Sequence, residues 1–157
     1  MLHEQTMEKL YAMKLNGMAE AFKEQLELPD IVDLSFEERF ALLVDRQWIF
    51  KEDRRMKRLL SNAKLKINAC VEDIDYRTPR GMDKSVILKL AAGDWISHAH
   101  NVIITGPTGV GKTFLACALA NRACRMGFPA FYIRLPNLFQ DLAIARADGS
   151  YPNLMKK

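Results

Sequence analysis

Residues 106–113 read Gly106-Pro107-Thr108-Gly109-Val110-Gly111-Lys112-Thr113, a G-x-x-x-x-G-K-[ST] spacing. The glycines let a backbone wrap concentrated negative charge with its N–H groups turned inward, because no Cβ fills the space that the anion needs. A helix opening near Gly111 adds the positive end of its dipole. Lys112 is then placed to reach the β- and γ-phosphates of a nucleoside triphosphate, and the Thr113 hydroxyl to ligate Mg²⁺. All eight residues are candidates for nucleotide binding, and Thr113 is the candidate metal ligand. An ordinary glycine-rich turn is the plainer alternative, but the motif follows a β-branched run and opens an amphipathic helix, the setting that this chemistry requires.

A second candidate is cationic. Residues 51–66 hold Lys51, Arg54, Arg55, Lys57, Arg58, Lys64 and Lys66 against Glu52 and Asp53. On a helix Lys51, Arg54, Arg55 and Arg58 share one face, since offsets of three, four and seven return to the same side. Two readings stay open: a solvated flank beside a packed Trp48 and Leu59, or a row of cations facing nucleic-acid phosphates. His98 and His100 stand two apart without a third ligand, a weak pattern for a metal, and are read as surface residues. Tyr76, Arg77 and Arg80 precede the motif and are either contacts to a base or ribose or plain linker. Cys70, Cys117 and Cys124 show no CxxC spacing, and the last two fall within an apolar helical pattern where buried free thiols are common.

The elements that must position these groups follow from periodicity. Over residues 6–28, Met7, Leu10, Leu15, Met18, Ala19, Phe22 and Leu26 recur at threes and fours, which predicts one helix ending before Pro29. Ser35 and Glu38, just ahead of Phe40, Leu42 and Leu43, have the form of a capping box, so a second helix starts near Phe36. With no glycine or proline in the way it continues to about Ala63. Asp75-Tyr76-Arg77-Thr78-Pro79-Arg80-Gly81 reads as a linker, followed by a short helix from Asp83 to about Ala92. Val102-Ile103-Ile104-Thr105 is a brief strand that stops at glycine.

After Gly111, Phe114, Leu115, Ala118, Leu119, Ala123 and Met126 mark a helix ending at Gly127. Ala130-Phe131-Tyr132-Ile133 reads as a strand, and Asn137 as the N-cap of a helix through Ala147 that Asp148-Gly149-Ser150 closes. Strand, phosphate loop, helix, strand and helix make the beginning of a parallel α/β sheet. The expected fold class is therefore α/β, helix-dominated overall. It comprises a helical interaction module over residues 1–74, a linker and short helix over 75–101, and an incomplete P-loop domain over 102–157.

At 157 residues, 49% apolar and 27% charged, the chain has the composition of a soluble globular protein and not of a disordered one. No apolar run approaches the roughly 18 residues of a membrane span. Met1-Leu2-His3-Glu4-Gln5 lacks the basic and apolar regions of a signal peptide. A cytoplasmic protein with no membrane partner is expected. The net charge of +4 is concentrated in the basic stretch, which is where an anionic partner would be sought.

With both halves in view, the chain resembles the IstB family, the ATP-binding helper proteins of insertion-sequence transposition, which are similar to the DnaC helicase loaders within the AAA+ ATPases. The likeness is carried by Leu15-Asn16-Gly17-Met18-Ala19, Leu34-Ser35-Phe36-Glu37-Glu38-Arg39, Val44-Asp45-Arg46-Gln47-Trp48, Ile74-Asp75-Tyr76-Arg77 with Pro79-Arg80-Gly81, the P-loop, and Ala145-Arg146-Ala147-Asp148-Gly149-Ser150-Tyr151. The resemblance implies ATP and Mg²⁺ as cofactors and a helical N-terminal module that engages DNA or protein partners. It further implies an AAA+ ATPase that assembles as a homo-oligomer on DNA and assists a transposase. In the loader relatives the partner would be a replicative helicase, and the setting DNA replication. DNA binding through the basic helix would be by phosphate contacts without sequence information.

The family pattern would continue past Lys157 to a Walker B strand with acidic residues, and then to sensor and arginine-finger elements. After Lys112 the acidic residues are Asp141 and Asp148, and neither follows an apolar strand. The groups that position water and stabilise a transition state are therefore expected to be missing. The expectation is a truncated family member that binds ATP without its own hydrolysis machinery, with no catalytic residue to name and its standing as an ATPase left open. In AAA+ domains residues 102–105 and 130–133 are not neighbouring strands. The helical half is thus expected to fold well, and the P-loop half to be loose or to pair its two strands directly. From another class, a non-enzymatic DNA- or protein-interaction module with a vestigial P-loop would show salt-sensitive DNA affinity indifferent to ATP. A small-molecule kinase usually opens with its P-loop, whereas here a long segment precedes it.

Overall fold

A computed structural model of the chain describes residues 2–28, 31, 33–78 and 81–156. Pro29, Pro79 and Arg80, invoked above for a helix end and a linker, lie outside the described residues. The helices are α1 (Leu2–Ala12), α2 (Asn16–Glu27), α3 (Phe36–Ala63), α4 (Lys84–Ala92), α5 (Asp94–Ser97), α6 (Lys112–Arg125), α7 (Leu135–Ala147) and α8 (Tyr151–Leu154), with a 3-10 turn at Val71–Asp73. The chain divides into two compact units, Met1–Arg58 and Leu59–Lys157, so that the division falls within α3. Among the described residues no helix is long and apolar enough to cross a membrane.

In the first unit the periodic stretch over residues 6–28 is two helices and not one. Lys14 takes φ +61°, its N–H donates to the Tyr11 carbonyl, and the Leu15 N–H reaches back to the Leu10 carbonyl at 2.9 Å. This is a Schellman ending, in which a left-handed residue satisfies the last carbonyls of a helix. The chain folds back there, and the Tyr11 hydroxyl donates to Glu20 of α2 at 2.7 Å.

Gly17 lies on the face of α2 that meets α3, where the backbones approach closely. The Met18 N–H, one of the unpaired donors of the first turn of α2, is taken by Gln47 Oε1 at 3.1 Å. Gln25 Nε2 donates to the Arg39 carbonyl, and Arg46 pairs with Glu24. The capping box forms as its spacing predicts. The Glu38 N–H donates to Ser35 Oγ, and the Ser35 N–H donates to Glu38 Oε2 at 2.8 Å.

The second unit has its core where Ala69, Cys117 and Ala118 are fully buried, with Leu65, Val71, Phe114 and Tyr132 packed around them. Leu65, Ala69 and Val71, on the helical side of the boundary drawn from sequence, thus pack with α6. Arg122 Nε donates to the Ala91 carbonyl, tying α6 to α4, and Arg125 pairs with Glu72 at 3.1 Å. Asp83 caps α4 by accepting from the Ser85 N–H, and α6, capped at Met126, is followed by Gly127 at φ +89°. Helix α7 begins at Leu135 and not after Asn137. Pro136 is compatible with a first turn, where its missing N–H would have no partner in any case.

No strand is present among the described residues. Residues 102–105 and 130–133, both expected as strands, share no backbone hydrogen bond, and Ile103 and Phe131 are 86% and 60% exposed. A β-branched run becomes a strand only when a neighbour completes its ladder. Here the Tyr132 N–H is taken by the carbonyl of Ala63, at the end of α3, at 2.8 Å. The helix-dominated description holds. The direct pairing offered above as one alternative does not form.

Candidate nucleotide-binding site

The phosphate loop is built by backbone conformations that side chains resist. Gly106, Gly109 and Gly111 have φ of +149°, +88° and +98°, a region in which a Cβ crowds the following carbonyl. Gly111 is the N-cap of α6, which opens at Lys112 with no side-chain cap and no acidic residue in its first turn. The first turn of α6 thus carries no carboxylate of its own to offset the positive end of its dipole. Lys112 Nζ donates to the carbonyls of Gly106 and Pro107 at 2.7 and 2.5 Å. The ammonium is held across the loop by the same carbonyls that give the loop its shape.

A cavity of about 380 Å³ adjoins the loop. Val110, Gly111 and Lys112 line it on one side, and Ile74, Asp75 and Met82 on another. Residues 106–109 lie on the exposed part of the loop, and Thr113 is half-buried in the first turn of α6. These groups fit a triphosphate: a helix N-terminus with no acidic residue in its first turn, glycine backbone at positive φ, the Lys112 ammonium, and an adjacent hydroxyl suited to a hard metal ion.

The contribution of Ile74, Asp75 and Met82 was not singled out from sequence. Ile74 and Asp75 stand in sequence only within the segments read as family likeness and linker, and Met82 carries no signal beyond its place beside them. Asp75 shapes that segment by accepting from the Arg77 N–H at 2.8 Å and the Thr78 hydroxyl at 2.7 Å.

Of the three residues weighed as base or ribose contacts, Arg80 lies outside the described residues and Arg77 is exposed. Tyr76 faces a different cavity, of about 410 Å³, with Leu88, Ala91 and Arg122. Its hydroxyl is buried there without a hydrogen-bond partner among the described residues, and the Lys84 ammonium stands 5.4 Å over its ring. His98 and His100 are exposed and stack on each other, and no group of three metal-ligating side chains occurs among the described residues. Cys117 and Cys124 are buried, and burial pushes the Cys124 thiol up from its ordinary value.

In the first unit Lys51, Arg54, Arg55 and Arg58 are all exposed on α3 and line a groove of about 1050 Å³. The Arg54 guanidinium stands 5.9 Å over the Phe50 ring, and Arg55 lies 3.8 Å from Glu52. Trp48, expected as a packed neighbour of these cations, is 65% exposed in the same groove. The reason is angular. The face of α3 that meets α2 runs through Arg46, Gln47 and Phe50, and one residue beyond Gln47 turns a side chain about 100° away from it.

Comparison with known proteins adds lineage to this geometry. Residues 8–157 match the family described as IstB-like ATP binding protein. A curated relative from Pseudomonas fluorescens, described as an ATP-binding protein of insertion sequence IS1162, is 47% identical over 158 residues. The match covers 100% of this chain and 68% of that protein. An insertion-sequence ATP-binding protein from Sinorhizobium fredii is 45% identical over 156 residues, with 99% and 64% covered. An ATP-binding protein of insertion sequence IS21 from Pseudomonas aeruginosa is 28% identical over 139 residues, with 88% and 52% covered. The chain spans about two thirds of the length of the first two relatives and about half of the third.

Proposed function

This chain belongs to the IstB-like ATP-binding proteins, and on that premise we propose that it is an ATP-binding helper of insertion-sequence transposition. The observation that carries the reading is the conformation of residues 106–113. Three glycines at positive φ lead into a helix without a side-chain cap, with the Lys112 ammonium held over the loop. The backbone N–H groups surround the β- and γ-phosphates, Lys112 turns from loop carbonyls to phosphate oxygens, and the Thr113 hydroxyl ligates Mg²⁺. Ile74 and Met82 offer apolar faces to the base in the adjoining cavity. Bound ATP with Mg²⁺ supplies a charged ligand that links the loop to the start of α6. The proposal is one of binding, and no residue is assigned a catalytic role.

The rest of the reading follows the family. Residues 102–105 and 130–133 take ladder partners in a parallel P-loop sheet, which the exposure of Ile103 and Phe131 supports. The helical module contacts DNA phosphates through Lys51, Arg54, Arg55 and Arg58, and the P-loop domain works as a homo-oligomer beside a transposase in the cytoplasm. The relatives described above are named for insertion sequences, which favours this setting over helicase loading.

Calorimetry of Mg²⁺–ATP binding by the chain and by Lys112→Ala tests the core of the proposal, because the substitution removes the charge-assisted contacts to phosphate. Binding lost with Lys112 is the expected result. Equal affinity of the two proteins would overturn it.

A further inference from the structure

We propose that the groove along α3 in the first unit seats an unpaired nucleotide, with the Trp48 indole as its stacking platform and Lys51, Arg54 and Arg58 as its phosphate contacts. The inference rests on the reading of this helix as a DNA contact and adds which form of DNA it takes. Val44, Trp48 and Lys51 follow one another at offsets of four and three, so an apolar stripe passes directly into a cationic one on the same side of the helix. Both stripes line the same groove, with Met18 of α2 as a further apolar wall.

A large aromatic left 65% exposed beside cations is matched by a ligand that brings an apolar plane and an anion together. A nucleotide whose base is free does so: the base covers the ring and its phosphates meet the cations, a pairing that tolerates any sequence. A duplex offers the phosphates but keeps its bases stacked on one another, leaving the indole uncovered. The other aromatic in the groove, Phe50, already has the Arg54 guanidinium over its ring, which leaves Trp48 to receive the base.

The test measures binding of a fluorescent oligothymidylate and of a duplex of equal length to the whole chain, together with quenching of tryptophan emission. Trp48→Ala should weaken binding of the single strand by roughly 5- to 150-fold, the value of about one base–aromatic stack. It should leave the duplex unaffected and abolish the quenching seen with the unmodified chain. Trp48→Phe, which keeps a ring, should recover most of the single-strand affinity. Since Trp48 is exposed, an unchanged far-UV spectrum is expected and checks that the variants fold. If single strand and duplex both bind and neither responds to Trp48→Ala, the stacking proposal fails while the phosphate-contact reading stands. If neither nucleic acid binds, both fail, and quenching by an acidic amphipathic peptide would then assign the groove to a protein partner.

Discussion

Gly17 and Phe50 approach so closely that a Cβ built on Gly17 would stand 2.7 Å from the Phe50 Cβ and 2.9 Å from the Arg46 carbonyl oxygen. The second of these atoms is backbone and cannot swing aside. A glycine inside a helix costs about 1 kcal/mol relative to alanine, so its presence in α2 is explained by the approach of α3 that it permits. Gly17→Ala should therefore destabilise the first unit despite its better helix propensity. Overpacking costs about 1–3 kcal/mol, and the propensity gain of about 1 kcal/mol offsets part of that, leaving a net loss of up to about 2 kcal/mol in urea unfolding followed by far-UV circular dichroism. A stabilised variant would mean that α2 and α3 do not meet here.

Only part of the fold and of the candidate site is legible in the sequence. Local chemistry was legible: Ser35 with Glu38 gave the start of α3, Asp83 the cap of α4, Gly127 the end of α6. Each acts on backbone groups within a few residues of itself. Lys14 was not legible, because a lysine at positive φ carries no marker comparable to glycine, and the apolar spacing on either side of it continues the same period. Trp48 was misread as packed because a tryptophan in an amphipathic pattern ordinarily belongs to the buried face. Which face is buried was decided by Gly17, 31 positions earlier in the chain and on another helix. The strands failed for a related reason: β-branched composition at 102–105 describes one side of a ladder and says nothing of the other.

Acid should weaken the caps before it reaches the core. Hydrogen bonds from the Ser35 hydroxyl and N–H hold Glu38 below the usual carboxylate range, and those from Ser85 and Ser150 do the same for Asp83 and Asp148. A carboxyl whose folded pKa lies below its unfolded one contributes stability that is complete above the unfolded value and is lost as pH falls through the folded one. The melting temperature should thus be level from neutrality down to about pH 5 and then decline below the ordinary carboxylate range near pH 4. Glu38→Gln keeps a side chain that can close the capping box but cannot titrate. It should flatten part of that decline, and an unaltered pH profile would remove Glu38 from the account.

Thiol reactivity should separate the three cysteines. Cys117 and Cys124 are buried and Cys70 is partly exposed, and burial raises the Cys124 thiol so that less of it is present as thiolate. Alkylation at mildly alkaline pH, followed by mass spectrometry, should modify Cys70 first. The other two should react slower by about 100-fold or more, because a buried thiol waits on opening of the fold. All three should react alike in denaturant. Rapid modification of Cys117 without denaturant would mean that the small core around Ala69 and Ala118 does not hold.

Gly109 separates conformation from crowding as the reason for glycine in the phosphate loop. Its φ is +88°, yet a Cβ added there would meet nothing within 4 Å, so a substitution is resisted by its own backbone and not by a neighbour. A non-glycine residue in the left-handed region costs roughly 1–2 kcal/mol, and 1.4 kcal/mol is a factor of ten in an equilibrium constant. Gly109→Ala should lower Mg²⁺–ATP affinity by about 5- to 30-fold on that penalty. Gly109→Asn should do less damage, since asparagine tolerates this region, and Gly109→Val more, since a β-branched side chain is the least able to adopt it. Calorimetry of the three variants, with Lys112→Ala as the null for binding, reads the order directly. Equal affinities across the series would mean that the backbone penalty at this position is the same with and without the phosphates, so that it acts on the fold and not on binding. A loss as large for asparagine as for valine would point to the bound phosphates, and not the backbone, as what a side chain at this position collides with.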